Sequence, residues 1–303
     1  MINMVLKLEG IIPAMVTLFK DNYELDEEAN RNQINFLIEN GVHAILIAGS
    51  TGEFMHLSKE ERKKLAEICV DEANNRVPII IGTGSTSTDE VIELTKHAKD
   101  IGADAVQIQA PYYFKFLSNE MIYQHFKTIA ESVDIPITLY NFPSAIGINL
   151  DPLLIANLAQ ISNIIALKDT TSDLSHMQKV LQLTKNKNFY VIAGSDDMLL
   201  PLLIIGGHGS VTGLGNFLPS LPVKLYNAFK NGNLNEARKL HEKIILIREI
   251  MLSITNPPIA AIKVAMKLIG RPVTYVVRRP LLSLSDKQRE ELIKKFRETN
   301  ILP

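Results

Sequence analysis

Cysteine is almost absent from this 303-residue chain, in which Cys69 stands alone. A single cysteine cannot form an internal disulfide or build a thiolate zinc site, so nothing points to an oxidising compartment. No apolar run approaches the roughly 18 residues of a transmembrane helix. The N-terminal apolar stretch is interrupted by Lys7 and Glu9 and lacks a small-residue cleavage site, which favours the approach to a first strand over a signal peptide. These absences predict a cytoplasmic protein that has no membrane partner.

An excess of charge of either sign is also missing. The chain has 32 lysine and arginine residues against 33 aspartate and glutamate residues, and its formal net charge is -1. Without a basic block, binding to nucleic acid is disfavoured, because that binding depends on neutralising phosphates. The seven histidines show no H-E-x-x-H spacing, so no metal site is predicted. A composition of 46% hydrophobic and 21% charged residues is typical of a globular protein and argues against a disordered chain.

Short apolar runs recur along the chain, and each is followed by a longer amphipathic stretch. The eight runs are Ile11–Leu18, Ala44–Ala48, Pro78–Gly82, Ala105–Gln109, Ile137–Asn141, Ile164–Asp169, Tyr190–Gly194 and Gly209–Thr212. Their spacing, roughly 20–35 residues, is the length of one strand–helix unit. Several runs are apolar without alternation, as expected for parallel strands buried on both faces. The pattern therefore predicts eight parallel strands separated by helices.

The strand signal stops after the eighth run, and the rest of the chain predicts helices, including Leu234–Ser253, Pro258–Ile269 and Ser285–Glu298. We predict an α/β fold: a (β/α)8 TIM barrel over residues 1–220 with a C-terminal helical extension, residues 221–303, packed on it. An open doubly wound sheet is the main alternative, but eight such units without an antiparallel edge favour the closed barrel.

Local signals mark where some of the helices begin and end. Ser58-x-x-Glu61 and Ser87-x-x-Glu90 fit capping boxes, in which the serine and the glutamate each satisfy a free backbone N–H. Gly41 and Gly102 stand where a helix should end in a left-handed residue.

Polar residues follow several of the predicted strands, and the carboxyl ends of barrel strands carry the active site in this fold. The segments concerned are Gly49-Ser50-Thr51-Gly52-Glu53, Pro111-Tyr112-Tyr113, Tyr140-Asn141, Lys168-Asp169-Thr170 and Gly194-Ser195-Asp196-Asp197. Gly82-Thr83-Gly84 resembles the start of a dinucleotide fingerprint, but position 87 is serine, so this motif is rejected. The candidate chemistry therefore depends on the strand-end segments.

Lys168 is the most informative of these residues. It follows Ile164-Ile165-Ala166-Leu167, so its backbone belongs to a buried strand. Burying an ammonium is costly, and desolvation lowers the lysine pKa toward the neutral amine, which is a nucleophile for carbonyl carbons. The alternative is a structural ion pair in which adjacent Asp169 neutralises the lysine. Strand position alone leaves both interpretations open.

Tyr140 and the turn Gly49–Gly52 offer groups that such a lysine would use. Beside an amine nucleophile, a buried tyrosine hydroxyl becomes a proton shuttle, although an ordinary strand aromatic gives the same sequence. The turn provides two hydroxyls and several backbone N–H groups, a small nest that suits a carboxylate. Alternatively, its glycines serve only the geometry of a strand–helix turn.

Together these segments resemble the dihydrodipicolinate synthase / N-acetylneuraminate lyase family of class I, Schiff-base-forming aldolases. The resemblance covers nearly the whole chain and rests on Gly49-Ser50-Thr51-Gly52-Glu53, Pro111-Tyr112-Tyr113, Tyr140-Asn141-Phe142-Pro143, Leu167-Lys168-Asp169, Gly194-Ser195-Asp196 and Gly206-Gly207-His208-Gly209. Each motif alone is modest, whereas six in order at predicted strand ends are highly specific.

The resemblance implies a pyruvate-dependent reaction and a role for several residues. Lys168 would attack the ketone of pyruvate, or of a 2-oxo acid being cleaved, and loss of water would give an iminium ion. Tyr140 would relay protons, and Ser50 and Thr51, beside Gly49, would hold the pyruvate carboxylate. The partners are therefore a 2-oxo acid and an aldehyde, and no metal or organic cofactor is needed.

The resemblance also implies an assembly. Tyr113 matches a tyrosine that in dihydrodipicolinate synthases enters the neighbouring subunit's site and completes a proton relay. Members of the family are commonly tetramers built as a dimer of dimers, so a homotetramer is expected.

The second substrate depends on a position where the chain departs from the synthases. They usually have an arginine that binds the carboxylate of aspartate semialdehyde, and Ala145 stands there. Without that planar fork a second carboxylate loses its charge partner, unless Lys115 or a residue near Arg278-Arg279 replaces it. Thr170, Gly194, Ser195 and Asp196 would instead offer polar contacts to a polyol chain. These are the substrate-binding candidates beyond the pyruvate end.

The segment Tyr140–Gly147 is most similar to 2-keto-3-deoxygluconate aldolases, which have a small residue at the arginine position. We therefore predict reversible cleavage of a 2-keto-3-deoxy sugar acid to pyruvate and an aldehyde. The alternatives are dihydrodipicolinate synthase and N-acetylneuraminate lyase, although the lyases usually have an aromatic residue where Asp169 follows Lys168. A barrel that only senses 2-oxo acids is a third class, but binding alone requires neither Lys168 nor Tyr140.

Overall fold

Eight parallel strands form the centre of the molecule in a computed structural model that describes residues 6–299. Residues 1–5 of the predicted approach to the first strand and residues 300–303 of the predicted extension lie outside that range. The strands are β1 Gly10–Pro13, β2 Ile45–Ile47, β3 Ile79–Gly82, β4 Ala105–Gln109, β5 Ile137–Asn141, β6 Ile164–Asp169, β7 Tyr190–Ala193 and β8 Gly209–Thr212. Four of these coincide with the predicted runs at both ends.

The sheet closes on itself. Neighbouring strands pair in the order β1-β8-β7-β6-β5-β4-β3-β2. An isolated parallel bridge between Ala14 and Leu46 joins β1 to β2, and the Met15 N–H donates to the Leu46 carbonyl at 2.9 Å. The predicted (β/α)8 barrel is therefore confirmed, and the carboxyl ends of its strands meet at one rim.

The first strand is shorter than its apolar run. The run extends to Leu18, whereas β1 ends at Pro13. Apolar residues continue after β1 because they are buried in a loop: Val16 and Leu18 pack in the same core as the C-terminal helices, and Phe19 is also buried. The prediction of strand to residue 18 was wrong because burial alone does not distinguish a strand from a packed loop.

Twelve helices are described, and most follow a strand. They are α1 Glu27–Glu39, α2 Lys59–Ala73, α3 Thr88–Asp100, α4 Asn119–Ser132, α5 Pro143–Ile146, α6 Pro152–Leu158, α7 Leu174–Leu183, α8 Leu199–Ile204, α9 Ser220–Lys230, α10 Leu234–Ile254, α11 Ile259–Leu268 and α12 Asp286–Glu298. The capping box at Ser58 is present, and Gly41 and Gly102 have the predicted left-handed conformation.

The second predicted capping box was wrong. Ser87 stands at the N-cap of α3, but its side chain makes no capping hydrogen bond. The Glu90 carboxylate instead accepts from the Ser85 hydroxyl at 2.6 Å. The Glu90 carboxylate therefore binds the Ser85 hydroxyl and not the backbone N–H that the capping box required.

The C-terminal helices pack against one side of the barrel through a continuous apolar core. This core includes Ile244, Ile247 and Met251 of α10 and Phe296 of α12, and it reaches Ile11 of β1. This packing places one face of α10 and the start of α11 at the barrel rim where the strands have their carboxyl ends. Within residues 6–299 no single helix is long and apolar enough to cross a membrane, although α10 and α11, bent by 116° at their junction, pass that test as a pair.

Candidate active site

A cavity of about 610 Å³ opens at the carboxyl ends of the strands. Nine of the predicted site residues line it: Ser50, Thr51, Tyr140, Ala145, Lys168, Thr170, Gly194, Ser195 and Asp196. Gly49 lies directly behind, in the wall of a small space that it shares with Ser50 and Tyr140. Four separate stretches of sequence, at residues 49–51, 140–145, 168–170 and 194–196, therefore converge on one cavity.

Lys168 lies on β6 in register with Tyr140 on β5. Its side chain is 3% exposed, and burial lowers its pKa to about 7, although the carboxylate of Asp196 acts in the opposite direction. Among the residues with described positions, no carboxylate oxygen lies within 4.0 Å of its Nζ. A substantial fraction of this amine is therefore neutral near pH 7.

Asp169 does not form the alternative ion pair with Lys168, because its carboxylate is held by other partners. It accepts from the Thr171 N–H at 2.8 Å and from Asn141 Nδ2 at 3.1 Å, and it lies 3.0 Å from His176 Nδ1. Burial opposes the charged carboxylate, but these hydrogen bonds outweigh it and lower the pKa of Asp169. Interpreting Lys168 as a residue neutralised by Asp169 was therefore wrong.

Tyr140 packs against the lysine amine. Nζ of Lys168 lies 4.1 Å from the centre of the Tyr140 ring. Burial raises the pKa of Tyr140 to about 12, although the neighbouring hydroxyls of Ser50 and Thr170 act to lower it. The phenol therefore stays protonated at neutral pH, as a proton donor beside the amine requires.

The turn after β2 presents Ser50 and Thr51 to the cavity. The Glu53 N–H donates to the Ser50 carbonyl at 3.1 Å and closes the turn. The Thr17 hydroxyl donates to the Gly52 carbonyl at 2.6 Å and anchors the turn to the loop after β1. Two hydroxyls and the local N–H groups are thus held together at one end of the cavity.

The segment after β7 forms the opposite wall. Gly194 has no room for a side chain, because a Cβ there would lie 1.9 Å from the Thr170 hydroxyl oxygen. Asp196 accepts hydrogen bonds from the Thr212 hydroxyl and from the Leu214 N–H, and burial raises its pKa. Ser195 donates to Asp197. This wall is rich in hydroxyl and carboxylate oxygens.

Two ionisable residues in the cavity wall were missed by the sequence analysis. Arg248 comes from α10, and its Nε lies 3.4 Å from the Asp197 carboxylate. His56 follows the Ser50–Thr51 turn, and its Nδ1 is buried without a hydrogen-bond partner in the described part of the chain. The helical pattern around Arg248 shows which face is buried but not that the neighbouring face reaches the cavity.

Neither Lys115 nor Arg278, the basic residues named as replacements for an arginine at Ala145, lines this cavity. The side chain of Lys115 covers Gly147, and Arg278 pairs with Glu61. Arg248 is instead the arginine that lines the cavity. Replacement of the missing arginine by Lys115 or by a residue near Arg278-Arg279 stays a prediction.

Tyr113 is the one predicted catalytic residue outside this cavity. Its side chain is 78% exposed on the loop after β4, in edge-to-face contact with Phe114, and Phe116 beside them is 81% exposed. Within a single chain, Tyr113 therefore does not line the cavity that holds Lys168.

The described residues contain no group of three or more histidine, cysteine, aspartate or glutamate side chains placed to hold a metal ion. The groups that converge at the cavity are an amine, a phenol, hydroxyls, carboxylates, an imidazole and one guanidinium. Such a set suits covalent chemistry on a carbonyl compound.

Two sequence relatives of this chain have names that describe two different reactions. A 4-hydroxy-tetrahydrodipicolinate synthase of Methanothrix thermoacetophila is 40% identical over 284 residues, covering 93% of this chain and 94% of that protein. A putative 2-dehydro-3-deoxy-D-gluconate aldolase, YagE of Escherichia coli, is 37% identical over 286 residues, covering 93% and 94%.

The fold comparison gives the same family. The crystal structure of YagE in complex with pyruvate superimposes with a TM-score of 0.94 at 35% identity and covers 97% of this chain and 99% of that one. Residues 7–299 match the profile of the Dihydrodipicolinate synthetase family. The chain therefore belongs to the dihydrodipicolinate synthetase family and is a lyase.

Proposed function

We propose that Lys168 is the Schiff-base residue of a pyruvate-dependent class I aldolase. The neutral amine attacks the ketone carbon, and loss of water gives an iminium ion. When the β-hydroxyl gives up its proton, the bond between the α and β carbons breaks and its electron pair moves toward the iminium, so that an aldehyde leaves and an enamine remains. Protonation and hydrolysis then release pyruvate and the free amine. The observation that carries this proposal is the buried lysine with a pKa of about 7 at the base of the cavity.

The neighbouring groups support the proton transfers and the binding of the 2-oxo acid. Tyr140 stays protonated and touches the amine, so it can protonate the leaving hydroxide and exchange a proton with the aldehyde oxygen. Ser50 and Thr51 receive the pyruvate carboxylate through their hydroxyls and backbone N–H groups, with Gly49 leaving the space behind them.

The second half of the substrate is an uncharged polyol chain. Ala145 offers no cation, and the one arginine at the cavity, Arg248, is already paired with Asp197. Thr170, Ser195 and Asp196 leave hydroxyl and carboxylate oxygens at the wall, and such groups favour ligands that satisfy their hydrogen bonds. A 2-keto-3-deoxy sugar acid fits this distribution, and the relative named as such an aldolase agrees with it.

A 4-hydroxy-tetrahydrodipicolinate synthase is the second candidate. The relative with that name is 40% identical, and Arg248 lies where it could bind a second carboxylate if it left Asp197. An N-acetylneuraminate lyase stays a third possibility in the same chemistry.

The assembly belongs to the same proposal. Exposed Tyr113, Phe114 and Phe116 form an aromatic surface that a second copy would cover, and Tyr113 would then enter the partner's site. A homotetramer, a cytoplasmic location and the division of the chain at residue 220 stay predictions.

A panel of aldehydes tests the substrate. Pyruvate is condensed with glyceraldehyde, aspartate semialdehyde and N-acetylmannosamine, and kcat/KM is compared. We expect glyceraldehyde to be preferred over the semialdehyde by about 10–100-fold, the value of one charged hydrogen bond. A kcat/KM for the semialdehyde equal to or above that for any aldose would replace the sugar-acid proposal with the synthase.

A further inference from the structure

The turn that carries Ser50 and Thr51 ends in a fully buried acid. Glu53 is 0% exposed, and its φ of 59° lies in the left-handed region that residues with side chains seldom adopt. Its N–H closes the turn on the Ser50 carbonyl. The conformation of Glu53 therefore sets where the two hydroxyl residues lie, and something must offset its strain.

Both oxygens of the Glu53 carboxylate bind the C-terminal extension. Oε1 lies 2.8 Å from Nζ of Lys263 on α11, and Oε2 accepts from the Arg278 N–H at 2.6 Å. Lys263 is also 0% exposed, donates to the Val276 carbonyl at 2.6 Å, and lies 4.6 Å from the centre of the Phe19 ring. Burial lowers the pKa of Lys263 to about 8, while Glu53 favours the charged form.

A buried ion pair is poor evidence of a contribution to stability, since apolar replacements are often as stable. This pair joins residues 210 positions apart, and the helix that provides Lys263 also lines the cavity through Ile259 and Ile262. The helix α11 therefore forms part of the cavity wall and also binds Glu53 at the end of the turn that carries Ser50 and Thr51. A function in positioning explains why two charges are kept in this place.

We infer that the Glu53–Lys263 pair positions the carboxylate-binding turn, so that the C-terminal extension sets the affinity of the barrel for pyruvate. The charge-assisted bonds hold Glu53 in its left-handed conformation and keep Ser50 and Thr51 aimed at the carboxylate. This inference rests on the proposed role of that turn. Glu53 and Lys263 are positioning residues, because neither touches the reacting atoms.

The test separates pyruvate affinity from reactivity and from stability. Glu53→Gln and Lys263→Met each break the pair with little change in volume. In borohydride trapping at Lys168, each should raise the half-saturating pyruvate concentration by about tenfold or more, while the rate at saturation stays within about threefold. Glu61→Gln is the matched control, because it removes the charge from the Arg278–Glu61 side-chain pair between the extension and α2 and leaves Glu53, Lys263 and the backbone N–H of Arg278 in place.

The control should lower the melting temperature but change the half-saturating concentration by less than about twofold. If a single variant does not fold, the double variant Glu53→Gln/Lys263→Met, which buries no charge, supplies the measurement. It should melt above either single variant yet still require about tenfold more pyruvate, because the charge-assisted bond is still missing.

Two results would overturn the inference. One is a half-saturating concentration within about threefold of the wild type in any folded variant of the pair. The other is a loss of pyruvate affinity in Glu61→Gln that is as large, for the same fall in melting temperature, as in the pair variants. A wild-type chain that traps no pyruvate would instead refute the proposed function, so the two failures are distinguishable.

Discussion

Raising the pH from about 5.5 to 9 should raise the rate at which Lys168 reacts with pyruvate, because only the neutral amine is a nucleophile. The pKa of Lys168 is lowered from 10.5 to about 7 by burial. At pH 7 an ordinary lysine is neutral in roughly one molecule in 3000, whereas a group with a pKa of 7 is neutral in about half. Burial therefore makes this amine about 10³-fold more available than a surface lysine.

The assay is the initial rate of adduct formation with pyruvate and cyanoborohydride, a reductant that survives mildly acidic solution. Below the midpoint the rate should fall about tenfold per pH unit, and above it the rate should level off. The sign follows from deprotonation: the reactive form accumulates as the pH rises through the pKa. A midpoint near pH 7 is expected in the wild type.

Asp196 provides an internal control. Its charge favours the ammonium form of Lys168, so Asp196→Asn should move the midpoint to lower pH. A wild-type midpoint above about pH 9 would show that the amine is solvated, and the argument from burial would fail. A midpoint that rises in Asp196→Asn would contradict the sign of the electrostatics.

Four further predictions concern the phenol, the subunit contact and, in two variants, the substrate. Tyr140→Phe removes the hydroxyl but keeps the ring, so kcat should fall by about 10²–10⁴-fold with a modest change in KM. A loss below about tenfold would show that another group relays the proton. If Tyr113 crosses between subunits, activity requires at least a dimer, and a fully active monomer in light scattering would remove it from the site. Ala145→Arg restores a donor fork and should raise kcat/KM for aspartate semialdehyde about tenfold while depressing sugar-acid cleavage. Asp197→Asn frees Arg248 and should shift the preference the same way, and an unchanged ratio in both variants would exclude charge as its cause.

The barrel fold and the position of Lys168 could be predicted because both depend on short, local stretches of sequence. Each strand is a short apolar run. In a barrel, a polar residue at the carboxyl end of any strand lies at the rim that carries the active site, so its position follows from the local sequence alone. Lys168, Tyr140 and Ser50 could therefore be assigned to one site before their distances were known. The first strand was overestimated because a buried loop, residues 14–18, has the same composition as a strand.

The rest of the site depends on contacts that have no local signal. Arg248 lies on the helix α10, whose apolar spacing identifies the buried face but not the side chains beside it. Glu53 was visible as the last residue of a motif, yet its partner Lys263 lies in a different helix, 210 positions away. The sequence analysis did not name Lys263, and its place in the apolar helix α11 is the signal that could have indicated a buried partner.

The identity of the lysine that binds pyruvate tests the central claim most directly. The chain is incubated with pyruvate, reduced with borohydride and digested, and the modified peptide is identified by mass spectrometry. We predict one adduct per chain, on Lys168, and none in Lys168→Ala that still folds. An adduct on another lysine, or a wild-type chain that forms none, would contradict the Schiff-base mechanism.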